Sequence, residues 1–72
     1  MNEIIETRIS QYTFAGIDED TEQELKEVSK KFARDMRFNF EWEYYTIYWT
    51  PENWLLAKLA MPSIDTIVKV VP

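Results

Sequence analysis

Hydrophobic and polar residues alternate most clearly between Arg37 and Thr50, in the run RFNFEWEYYTIYWT. Phe38, Phe40, Trp42 and Tyr44 are separated by Asn39, Glu41 and Glu43. Side chains on a strand point to opposite faces with period two, so the four aromatics share a face. Aromatic and β-branched residues also favour a pleated surface. The run therefore predicts a long central strand. Its phase breaks at Tyr44-Tyr45, after which the large residues Tyr45, Ile47 and Trp49 fall on odd numbers. A β-bulge at Tyr44-Tyr45 restores one core face, with Phe38, Phe40, Trp42, Ile47 and Trp49 inward. Asn39, Glu41, Glu43, Thr46 and Tyr48 then face outward. Unbulged, the strand would span about 40 Å at ~3.3 Å per residue, which is long for so small a domain. A hairpin turning near Glu43 to Thr46 is the alternative, disfavoured because that stretch has no Gly, Asn, Asp or Pro.

The flanking patterns supply elements to cover this strand. Ile5, Thr7 and Ile9 alternate with Glu6, Arg8 and Ser10, predicting a strand over roughly Ile4 to Thr13. A short helix over Glu3 to Ile9 is the alternative. Ala15-Gly16-Ile17-Asp18 reads as a turn, with the sole glycine at a positive φ or a close approach. Leu25, Val28, Phe32, Ala33 and Met36 form one helical stripe and predict a helix over Asp18 to Met36. Thr21 and Glu24 have capping-box spacing, and Asp18 is a second candidate cap. Thr50-Pro51 starts another helix, ending by Ala60 or Met61 before Pro62. Trp49 and Trp54 then occupy the two positions of a hydrophobic staple. This helix is apolar nearly all round, and a two-layer domain covers only one side of it. Ser63 to Val71 alternates and predicts a closing strand.

The order is β-α-β-α-β: one small domain over residues 1–72, a two-layer α/β (α+β) sandwich of about three strands and two helices. Helical crossovers favour at least one parallel pair.

Composition narrows the function more than it names it. Cys and His are absent, which removes disulfides, thiolate zinc sites and imidazole ligands. No cofactor and no metal are expected. The net charge of −5 argues against a phosphate-backbone binder and against an anionic membrane surface. Apolar runs fall short of the ~20 residues of a membrane span. Met1 is followed by Asn2-Glu3 rather than a positive n-region, so the expected location is cytoplasmic.

Five groups are candidate sites. Asp18, Glu19, Asp20, Glu22, Glu24 and Glu27 cluster at a predicted helix N-terminus, where the dipole favours them. A calcium loop would need Gly where Gln23 stands and Glu where Ser29 stands. Glu41 and Glu43 share the outer strand face; they solubilise an edge or meet a basic partner, and no companion base suggests catalysis. Tyr12, Tyr44 or Tyr45, and Tyr48 form an aromatic set suited to packing or to an interface. Trp54, Leu55, Leu56, Leu59 and Met61 suggest a core helix, either wholly core or with a second apolar side for self-association or a partner. Lys30, Lys31, Arg34 and Arg37 complement the helix dipole or bind an anion.

The expectation is a small acidic interaction module without enzymatic activity, which inhibits or regulates a protein partner of unknown identity. Size and acidity suit a phage or mobile-element protein, or a nucleic-acid mimic. The residues expected to touch the partner are Asp18, Asp20, Glu22, Glu41, Glu43, Tyr45, Tyr48, Trp54, Leu55 and Leu59. A homodimer is the expected resting state. Binding of single-stranded nucleic acid on an aromatic sheet face is the alternative, disfavoured by the acidic neighbours.

Overall fold

The computed structural model describes residues 3–72. The chain runs β1 (Ile5–Ser10), α1 (Gln11–Gly16), α2 (Glu19–Phe32), β2 (Asp35–Asn39), β3 (Tyr44–Trp49), α3 (Pro51–Ala60), α4 (Ile64–Ile67) and β4 (Lys69–Val70). The strands form one sheet in the order β2-β3-β1-β4, with every neighbouring pair antiparallel. The α/β sandwich is as the sequence predicts, with a fourth strand and two extra short helices. The parallel neighbours expected from the crossovers are absent. β1 and β2 both run antiparallel to β3, so they share a direction, but β3 lies between them. β1 separates β3 from β4 in the same way. This is the split βαβ arrangement.

The central correction concerns the aromatic run. It is a hairpin, not one bulged strand: β2 and β3 pair from Asp35↔Tyr48 to Asn39↔Tyr44. The turn occupies residues 40–43, upstream of the Glu43–Thr46 alternative. Asn39 makes it possible. Its side-chain Oδ1 accepts the Trp42 N–H at 2.9 Å, and its carbonyl accepts the Glu43 N–H at 2.8 Å. Glu43 completes the turn in the left-handed region at φ 55°. The break in phase is therefore the passage through the turn. Phe40 and Trp42, predicted to be core, stand outside on it.

Directly paired residues share a face. Ile5, Thr7 and Ile9 of β1 sit opposite Trp49, Ile47 and Tyr45 of β3, on the face that the helices cover. Trp49, Ile47, Thr7 and, from the helices, Leu25, Met61 and Ile64 are fully buried there. Trp49 meets Trp54 of α3 with ring centroids 5.3 Å apart, so the predicted staple forms. Thr50 caps α3 by accepting the Asn53 N–H at 3.2 Å, with Pro51 in the first turn.

Four segments differ from the sequence reading. β1 stops at Ser10, whose hydroxyl caps α1 by accepting the Thr13 N–H at 3.2 Å. Gly16 ends α1 without a positive φ. α2 is capped by Asp18, which accepts the Thr21 N–H at 2.6 Å, and it stops at Phe32 rather than Met36. Asn53 Nδ2 donates to the freed Phe32 carbonyl at 3.1 Å, and the Arg34 N–H turns to the Tyr48 carbonyl at 2.7 Å, which draws the chain into the sheet. Finally, Ser63–Val71 is not one strand: Ile64–Ile67 form α4 and only Lys69–Val70 is strand. Its buried residues Ile64 and Val68 are four apart, a helical interval.

Candidate functional site

The hairpin turn projects apolar side chains that the core does not use. Phe40 is 85% exposed and Trp42 71% exposed. Glu41 and Glu43 alternate with them, also exposed. Phe40 meets Phe38 in a T-shaped contact, with ring centroids 4.9 Å apart and planes at 88°.

The turn is braced as well as closed. The Gln11 N–H donates to the Glu43 carbonyl at 2.9 Å, tying the start of α1 to the turn. The Tyr12 hydroxyl donates to the Glu43 carboxylate at 2.7 Å. That bond, with the negative charge beside it, raises the Tyr12 phenol above its ordinary range. Tyr12 is itself 73% exposed and brings a third aromatic ring to the tip. The site thus presents aromatic anchors between carboxylates on a backbone held from two directions. Large amphipathic rings with few torsions are effective anchors in protein interfaces. The tip holds no nucleophile paired with a base, and no group of three or more metal-ligating side chains occurs among the described residues.

The sequence-predicted site residues separate into distinct regions. Glu41 and Glu43 lie at the tip, not on a sheet face. Tyr45 faces the helices rather than outward, its ring 5.1 Å from Phe14 and 4.8 Å from Phe38. Tyr48 lies on the opposite, open face, half-buried across from Asp35. There Arg8 stacks over Tyr44 at 4.8 Å and pairs with Glu6 at 3.1 Å, so this face is polar and internally paired. Trp54 is core, whereas Leu55, Leu56 and Leu59 are exposed on the outer side of α3. Asp18 is committed to capping α2, which holds its carboxyl below the ordinary range through the bond from Thr21. Asp20 is exposed on the first turn, and Glu22 pairs with Lys26 at 3.0 Å.

The residues that the sequence placed in the core and the structure exposes are Phe40 and Trp42, whereas Tyr12 belongs to the aromatic set read as suited to an interface. The available signal was Asn39, which lies one residue before the turn and has a side chain able to close it. No helix among the described residues is long and apolar enough to cross a membrane. Compared with known families, curated proteins and solved structures, the chain has no match.

Proposed function

We propose that the protein is a non-enzymatic interaction module that regulates or inhibits a protein partner, and that the hairpin tip is its principal contact. The observation that carries this reading is the exposure of Phe40 and Trp42 on a turn locked by Asn39, Gln11 and Tyr12. Holding two large rings in water contributes nothing to the core, and a braced turn reduces the ordering cost of inserting them into a pocket. The fitting partner is a protein with an apolar pocket rimmed by Lys or Arg, which would meet Glu41 and Glu43.

Exposed Leu55, Leu56 and Leu59 favour a second contact, between copies of the chain through α3. The resting state in this reading is a homodimer, with the tips left free. Affinity capture from the source organism tests the proposal. Native protein should retain a specific partner that Phe40→Ala/Trp42→Ala loses while remaining folded. Equal retention by both would refute the tip as the contact.

A further inference from the structure

A second surface lies at the other end of β2 from the tip and does not depend on the reading above. Two clefts meet at Asp35. One, of about 330 Å³, lies between α2 and β2 over Ala33 and Met36, with Lys26, Ser29 and Lys30 in its wall. The other, of about 300 Å³, is lined by Arg34, Arg37, Tyr48 and Ile4. In a chain of net charge −5, the residues lining the two clefts include four cations and one carboxylate. That carboxylate is already engaged: Asp35 accepts the Met36 N–H and Arg37 Nε, both at 2.9 Å. Lys26 is held by Glu22 at 3.0 Å. Lys30 and Arg34 lie within ion-pair distance of no described carboxylate.

Ser29 lies in the wall of the first cleft. Ser29 is 5% exposed, and its Oγ has no hydrogen-bond partner among the described residues. β2 is also an edge strand, so one side of its backbone faces no neighbouring strand.

We propose that this basic edge docks an acidic, extended peptide segment of a partner protein. Carboxylates of the segment pair with Lys30 and Arg34. An apolar side chain enters the cleft over Ala33 and Met36. The apolar floor favours a peptide over a nucleic acid, because stacking of successive bases needs a run of exposed rings and only Tyr48 borders either cleft.

The test is titration of ¹⁵N-labelled protein with a capped hexapeptide of alternating Glu and Leu. Parallel titrations use the Lys–Leu counterpart, inorganic phosphate and a short oligothymidylate. The acidic peptide should shift the amides of Ser29, Lys30, Arg34 and Met36 in a saturable, salt-weakened manner. Binding should fall about tenfold or more in Lys30→Glu/Arg34→Glu, with the dispersion of the spectrum retained. Absence of shifts, equal shifts with the basic peptide, or equal shifts at these amides with phosphate or oligothymidylate would overturn the proposal.

Discussion

The indole N–H of Trp49 donates to the hydroxyl of Thr7 at 2.9 Å, and that hydroxyl donates onward to the Ile47 carbonyl at 3.1 Å. All three residues are fully buried. The relay joins the two central strands through their side chains and satisfies every polar atom it contains. Thr7→Val keeps the shape but orphans the indole N–H, at a cost of about 1–3 kcal/mol. Thr7→Ser keeps both bonds and loses one buried methyl, at about 1 kcal/mol. Urea unfolding should rank native above Ser and Ser above Val. Valine matching or exceeding serine would show that the relay does not matter.

Gly16 offers a stabilising change. Its φ is not positive, and a Cβ built on it meets nothing within 4 Å. Gly16→Ala should therefore stabilise the fold by roughly 0.4–1 kcal/mol, through the smaller conformational freedom of the unfolded chain. A rise in the thermal midpoint checks this. A fall would contradict the helical end seen for α1.

The Tyr12–Glu43 bond has a pH signature. The folded phenol titrates above the ordinary 10.0 because the neutral hydroxyl donates to Glu43. Its contribution to stability is thus fully present below the unfolded pKa and is lost as pH rises through the folded one. Ultraviolet titration, differenced against Tyr12→Phe, should place this phenol above 10.0 in the native protein and lower it in Glu43→Gln. An unchanged titration in the variant would remove the brace from the account.

The leucines of α3 are a separate matter. Leu55→Glu/Leu59→Glu alters side chains that are exposed in the monomer, so stability compared at a dilution where both proteins are monomeric should stay within about 0.5 kcal/mol of native. Sedimentation equilibrium should show a native dimer and a monomeric variant. A native monomer at high micromolar concentration would reassign this face.

How far the sequence revealed the fold depended on whether a local signal acted alone. α3 was legible to its ends, because Thr50, Pro51 and the Trp49–Trp54 pair all point to one boundary. α2 was legible at its start but not its end. The stripe through Phe32 and Ala33 continues in phase to Met36, and only tertiary bonds from Asn53 and to Tyr48 stop it earlier. The tail misled because Ile64, Thr66, Val68 and Val70 alternate, while burial selects Ile64 and Val68. At the candidate site the carboxylates Glu41 and Glu43 were found, but their setting was not. The turn has no glycine; it relies on the Asn39 side chain and a left-handed Glu43, which no propensity scale favours. With the turn unread, Phe40 and Trp42 fell into the core by parity alone.

Phe40 and Trp42 are the proposed partner contact. The most direct test is calorimetric titration of the captured partner with native protein and with Phe40→Ala/Trp42→Ala, after matching thermal midpoints establish that both are folded. Truncating two anchors of this kind should weaken binding by about thirtyfold or more. Equal affinity of native and variant proteins for the partner would contradict the assignment of the tip.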